Sequence, residues 1–301
     1  MRAYPHAHKV VEVPDEAEVF FVGDIHGEAT LLDEILAVKG YRPDVDYLFS
    51  VGDLVDRGPE NLKVLARFLY DKTGRTHAVL GNHDQFMAQA ATDENALYNW
   101  MRNGGRWVID QKLSEETLAL IASDILDKFP VLMTVVHRDR VYGIAHGGIP
   151  MKYKDDLMEE LAVPHWNLLT SLLYDKLNSP PKLSDYYDKW DYVNDYTWDR
   201  NVLAEFQARE LGQKHAMIIP AVANVDFVFH GHTYVEKPTA VANRIYIDTG
   251  GVHKGSMTVV QGDYELSYYT SGRTKTLETV ANIKIANGEP DPRLPTAGWI
   301  L

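Results

Sequence analysis

Three apolar runs early in the chain each end in a glycine followed by a polar side chain. Val19–Val22 leads to Gly23-Asp24-Ile25-His26-Gly27, Tyr47–Val51 to Gly52-Asp53, and Thr76–Leu80 to Gly81-Asn82-His83-Asp84. Asp24, Asp53 and Asn82 follow one another at intervals of twenty-nine residues, about what a strand, a crossover helix and the next strand require. Between them, Ala29–Val38 carries Leu31, Leu32, Ile35 and Leu36 at helical spacing, and Asn61–Tyr70 reads as the next helix. This predicts neighbouring parallel strands. Right-handed crossovers bring all three polar turns to one edge of the sheet.

Two later strands end in histidine: Val141–Ala145 before His146-Gly147-Gly148, and Val225–Phe229 before His230-Gly231-His232-Thr233. Shorter β-like runs at Arg244–Ile247, Met257–Val260 and Tyr264–Tyr268 predict a second group of strands. The expected fold is α/β: a two-sheet β-sandwich flanked by helices, its active site at the C-terminal ends of the strands, in one catalytic domain over residues 1–282. Residues 151–198 read as a helical, aromatic-rich insertion, either packed on the domain or capping a substrate. Residues 283–301 read as an irregular tail.

Asp24 and His26 lie two apart at a strand end, where a residual period of two would turn both to one side to share a cation. The two oxygens of Asp53 suit it to bridge that cation and a second, which Asn82, His146 and His232 would complete. The chain has no cysteine, so the donors are carboxylate, amide and imidazole. That set suits Mn²⁺, favoured here, or Fe, Co²⁺ or Zn²⁺, and not a thiolate centre. Two such ions about 4 Å apart would acidify a bridging water and clamp an in-line phosphoryl transfer. Any one of these turns alone is more often a turn former or a satisfied core residue. Five polar turns after five apolar runs point to a site.

The chain resembles the phosphoprotein phosphatases among the metallophosphoesterases through Gly23–Gly27, Gly52-Asp53-Leu54-Val55-Asp56-Arg57-Gly58, Gly81–Asp84, His146–Gly148 and Gly231–Thr233. The likeness is greatest to phage lambda-type serine/threonine phosphatases. It extends to Asn99-Trp100 with Asn103-Gly104-Gly105, to Trp198-Asp199-Arg200, and to Ile245–Gly250. The resemblance implies the ligand set above. It also implies that His83 protonates the leaving group aided by Asp56, and that Arg57 and Arg200 hold the phosphate. His230, beside the aligned ligand His232, stays outside the metal set.

The pattern departs at Leu80, where lambda-type enzymes have arginine, and at Asp84, where glutamate is usual. Both departures are similar to symmetrical diadenosine tetraphosphatases, the alternative reading. Asp56 and Trp198-Asp199-Arg200 favour the phosphomonoesterase, a serine/threonine or dual-specificity protein phosphatase acting on a phosphorylated protein or a small phosphate ester. A catalytically silent binding module is the third reading, opposed by the complete predicted ligand set. A net charge of −13 disfavours stable nucleic-acid binding, and Tyr234 stands where a phosphodiesterase of the GHTH type would have another histidine. The N-terminus lacks an apolar leader, no stretch reaches the length of a membrane span, and the absence of cysteine fits a cytoplasmic enzyme.

Overall fold

The structure, a computed structural model, describes residues 3–150, 163–180, 188–210, 219–262, 267–272 and 277–280. Within them the first half runs β1 (His8–Val13), β2 (Val19–Val22), α1 (Ala29–Val38), β3 (Tyr47–Ser50), α2 (Asn61–Leu69), β4 (Thr76–Ala78), α3 (Asn82–Ala90), α4 (Glu94–Arg102), α5 (Trp107–Asp110) and α6 (Glu115–Lys128). The second half continues with β5 (Leu132–His137), β6 (Arg140–Ala145), α7 (Trp166–Asn178), α8 (Lys189–Thr197), α9 (Asn201–Glu210), β7 (Phe227–His230), β8 (Thr239–Val241), β9 (Arg244–Tyr246), α10 (Gly251–Lys254), β10 (Ser256–Gly262), β11 (Ser267–Gly272) and β12 (Leu277–Val280).

These strands form two six-stranded sheets, ordered β1-β5-β6-β7-β9-β8 and β12-β11-β10-β2-β3-β4. The parallel neighbours expected from the repeated turns are present, with β2 beside β3 and β3 beside β4. In the other sheet β6 and β7 are also parallel, joined by the long excursion through α7, α8 and α9. Sequence patterning did not anticipate β1, β5, β8 or β12. The β-run expected at Tyr264–Tyr268 falls partly outside the described residues, as does residues 151–198, and the 283–301 tail falls wholly outside them.

Strand β2 explains how the layers form. All four of its residues are buried, and its alternation splits them between two apolar clusters. Val19 and Phe21 face the space between the sheets, where Phe21 stacks on Phe229 at 4.0 Å between ring centroids. Phe20 and Val22 face outward onto a cluster that includes Leu32, Ile35, Val64 and Leu65 of α1 and α2. Truncating Phe21 to alanine would empty the inter-sheet layer, at a cost of about 3–5 kcal/mol. Trp166, Leu169 and Leu173 of α7 and Val193 and Tyr196 of α8 are buried in the same outward cluster, so the described parts of the aromatic excursion pack onto the domain. Among the described residues no helix is long and apolar enough to cross a membrane.

Candidate metal centre and active site

The turns after β2, β3 and β4 meet the ends of β6 and β7, where Asp24, His26, Asp53, Asn82, His83, His146 and His232 are all buried. The backbone there is unusual. Nine non-glycine residues among those described have positive φ, and His26, Asp53, Asp56, Arg57 and His232 are five of them. Such conformations cost about 1–3 kcal/mol each and persist where surrounding contacts over-determine them. The contacts are visible: the carbonyl of Asp53 accepts the N–H groups of both Ile25 and His26, at 3.1 and 2.9 Å. His26 is therefore aimed by a left-handed turn and not by the continued strand period that its spacing from Asp24 suggested. Gly81 is needed because a Cβ there would collide with the backbone nitrogen of Asp53.

Asp53 lies at the centre. Its Oδ2 is 3.6 Å from His26 Nε2 and its Oδ1 is 3.2 Å from His146 Nε2, so its two oxygens face two different imidazoles. Among the described residues, two groups offer donor atoms mutually within 4.8 Å: His26, Asp53 and His83, and Asp53, His146 and His232. Asp53 belongs to both. Asn82 Oδ1 joins the second group, 3.0 Å from His146 Nε2 and 2.8 Å from His232 Nδ1. Asp24 stands outside both groups and accepts the backbone N–H of His232 at 3.1 Å.

The outer nitrogens are fixed by the fold. His26 Nδ1 donates to the Val55 carbonyl at 2.7 Å and His146 Nδ1 to the Val51 carbonyl at 2.8 Å. Each ring thus presents Nε2 inward, the arrangement in which metal-binding histidines are commonly held. The electrostatics divide the site: burial first, with neighbouring cations adding to it, holds His26 and His232 down to about 3, whereas the carboxylates act on Asp24 and His146. Burial and the charges of Asp248 and Asp53 push Asp24 well above the usual carboxylate range. Burial opposes protonation of His146, yet Asp53 and Asp24 carry it up to about 9. Burial also works against ionised Asp53, but His146 and His83 hold it well below its ordinary value. Oxygen and nitrogen donors around a shared, buried carboxylate fit divalent metal ions.

Two arginines flank this cluster. Arg57 donates from Nη1 to His26 Nε2 and from Nη2 to His83 Nε2, both at 2.7 Å, and Arg200 Nε donates to His232 Nε2 at 2.8 Å. On its outer side His83 Nδ1 donates to Asp56 Oδ2 at 2.7 Å. Thus the structure brings all four residues of the implied catalytic set to the cluster edge. Phe86 and Trp198 bridge its rim: Phe86 lies 6.0 Å from the His83 ring and 5.3 Å from Trp198, which lies 5.6 Å from His232.

The departures also find places. Leu80 is fully buried in the apolar core, so an arginine on this backbone would start from an interior position. Asp84 accepts the N–H groups of Leu54 and Gly81, both at 3.1 Å, tying the Asp53 turn to the Asn82 turn. His230 donates from Nδ1 to the Ala145 carbonyl and stacks on Tyr246, apart from the donor groups. Sequence reasoning missed Asp248, which is buried and raised by its burial, with Asp53 adding to the rise. The signal was available, since Asp248 follows a short β-run just as Asp24 and Asp53 do. It also missed His253, at the surface of α10, whose protonation is disfavoured by partial loss of hydration and then by the charge of Arg57.

A family profile described as calcineurin-like phosphoesterase matches residues 17–236. Serine/threonine-protein phosphatase 2 of Salmonella typhimurium is 31% identical over 242 residues, covering 80% of this chain and 90% of that protein. A symmetrical bis(5'-nucleosyl)-tetraphosphatase of Tolumonas auensis is 49% identical, but over 65 residues, 22% of this chain and 23% of that protein. Among solved structures, the cold-active protein-tyrosine phosphatase of a psychrophilic Shewanella matches with a TM-score of 0.56 at 18% identity, covering 92% of this chain and 83% of that one.

Proposed function

This chain belongs to the calcineurin-like phosphoesterases, a family of metal-dependent hydrolases, and from that premise we propose that it is a protein phosphatase hydrolysing phosphoserine and phosphothreonine esters in the cytoplasm. The observation that carries the reading is the buried pair of His83 and Asp56, with His83 Nδ1 2.7 Å from the Asp56 carboxylate. A serine or threonine alkoxide is a poor leaving group and needs a proton as it departs. A phosphoanhydride leaves as an already stable phosphate anion and needs that proton far less. A carboxylate-oriented imidazole is thus machinery for an alkyl ester. The likeness to a serine/threonine phosphatase over 80% of the chain supports the same substrate class.

In this reading Asp24, His26 and Asp53 hold one divalent ion, and Asp53, Asn82, His146 and His232 hold the other. The two ions, Mn²⁺ by preference with Fe, Co²⁺ or Zn²⁺ able to use the same donors, supply Lewis-acid activation of water and phosphate. Arg57 and Arg200 approach from opposite ends of the cluster and grip the phosphoryl oxygens as charge develops on them. Once protonated on both nitrogens, with its Nε2 released from Arg57, His83 gives the Nε2 proton to the departing oxygen while Asp56 keeps the ring in line.

The second reading, a symmetrical diadenosine tetraphosphatase, draws on Leu80, Asp84 and the 65-residue stretch at 49% identity. The deciding experiment is Mn²⁺-dependent phosphate release from a phosphoserine peptide beside cleavage of diadenosine tetraphosphate at equal enzyme concentration. Higher kcat/KM on the peptide is expected. Preference for the dinucleotide would replace the first reading with the second, and cleavage of no phosphate ester, anhydride or diester would overturn both.

A further inference from the structure

The turn between α4 and α5, with Asn103-Gly104-Gly105 at its centre, carries two indoles onto the Asp56 carboxylate. Trp100 Nε1 lies 3.0 Å from Asp56 Oδ1 and 2.9 Å from Oδ2, and Trp107 Nε1 lies 2.8 Å from Oδ1. With His83 Nδ1 at 2.7 Å from Oδ2, three donors converge on one carboxylate that is itself fully buried. The indoles are 1% and 7% exposed and meet edge to face, 6.4 Å between centroids and 86° between planes. Gly105 permits this: a Cβ there would sit 2.6 Å from the Trp100 ring. The backbone of Asp56 is pinned as well, at φ 78°, by donation of its N–H to Asn61 Oδ1 at 2.7 Å.

We propose that Trp100 and Trp107 are positioning residues for leaving-group protonation, fixing through their N–H groups the Asp56 carboxylate and thereby the orientation and tautomer of His83. An indole N–H can only donate, and a carboxylate can only accept. Rotating the Asp56 carboxylate away from His83 would strand a buried indole donor, at a cost of about 1–3 kcal/mol. The acceptor for His83 Nδ1–H is therefore held still, and Nε2 stays directed at Arg57 Nη2, 2.7 Å away. Two tryptophans that merely filled the core would serve as well without their nitrogens, which is what makes the inference testable.

The inference rests on His83 being the leaving-group acid, so the test carries its own control. Trp107→Phe and Trp100→Phe keep an aromatic ring and remove the donor. In the Mn²⁺-loaded enzyme, each variant is expected to lower kcat on a phosphoserine peptide by about 10- to 100-fold, a fraction of what full loss of general-acid catalysis costs. On p-nitrophenyl phosphate, whose leaving group needs little proton donation, kcat should fall by no more than about threefold. Bound Mn²⁺ and the inhibition constant of inorganic phosphate should hold. An equal loss on both substrates, or no loss on the peptide, overturns the positioning role. His83→Asn is the control: if it too fails to separate the two substrates, the acid assignment itself has failed, whereas a leaving-group effect in His83→Asn alone removes only the tryptophans. Should Trp107→Phe not fold, Trp100→Phe acts on the same carboxylate and decides alone.

Discussion

The two sheets meet through polar side chains at two junctions, and the junctions are electrostatic opposites. At the site, Asp53 after β3 faces His146 after β6 at 3.2 Å, and despite burial Asp53 and Asp24 carry the imidazole up to about 9. At the sheet edges, His77 on β4 lies 3.2 Å from the Lys9 ammonium on β1, and burial with that cation holds its imidazole down to about 4. The contrast teaches what burial alone does not. His146 is fully buried and His77 partly so, but only at the first do carboxylate neighbours outweigh burial, and only there would a divalent cation be drawn in. Histidine at a strand end is thus not a metal signal until its acidic neighbours are counted.

Asp53→Asn should break the contrast most severely. It keeps the shape, removes the charge that both donor groups share, and relieves the pull on His146. Metal content is expected to fall from two ions to none at micromolar Mn²⁺, with kcat/KM reduced by at least about 10³-fold, or some 4 kcal/mol of transition-state stabilisation. Elemental analysis after gel filtration checks the first and phosphopeptide turnover the second. A variant that kept both ions would remove Asp53 from the bridging role.

His232→Gln should do less, because it touches one donor group only. One ion is expected to remain with His26 and Asp53, and turnover to fall by about 10²-fold, measurable as a stoichiometry near one by calorimetric Mn²⁺ titration. Loss of both ions together would mean that the two groups bind as a single unit.

These two residues also mark where the sequence could be read and where it could not. The carboxylate sheet was legible because Asp24, Asp53 and Asn82 are separated by short, regular crossovers, and the structure has the parallel neighbours those intervals require. The histidine sheet was legible only at its strand ends. Its order depends on β1 pairing with β5 and on β6 pairing with β7 across the whole excursion through α7 to α9, and no local spacing encodes partners so distant. The aiming of individual side chains was least legible. Positive φ at His26 and Asp56 is imposed by tertiary hydrogen bonds to Asp53 and Asn61, and neither residue type announces it. Trp100 and Trp107 illustrate the same limit, since nothing in their spacing announces that their nitrogens reach Asp56.

The smallest expected effect concerns the second junction and reads stability, not turnover. His77 stacks on Phe49 at 5.4 Å and on Tyr47 at 6.3 Å between the sheets. Its pKa is lowered to about 4 from the ordinary 6.5 by burial first and Lys9 second. Because the folded value lies below the unfolded one, the unfolded chain binds more protons between those limits. Stability from this group is therefore fully present above pH 6.5, falls as pH drops toward 4, and is level below that. Between pH 7 and 5 the loss amounts to about 2 kcal/mol at most. His77→Phe retains an aromatic ring on the stack and cannot take up a proton, so urea unfolding should show it losing about 1–2 kcal/mol less than the parent over the same interval. The variant should leave Mn²⁺ stoichiometry at two, since the edge junction takes no part in the donor groups. Parallel stability profiles for parent and variant would mean that His77 titrates in the fold as it does in the unfolded chain, and the opposition between the two junctions would reduce to the carboxylates at one of them.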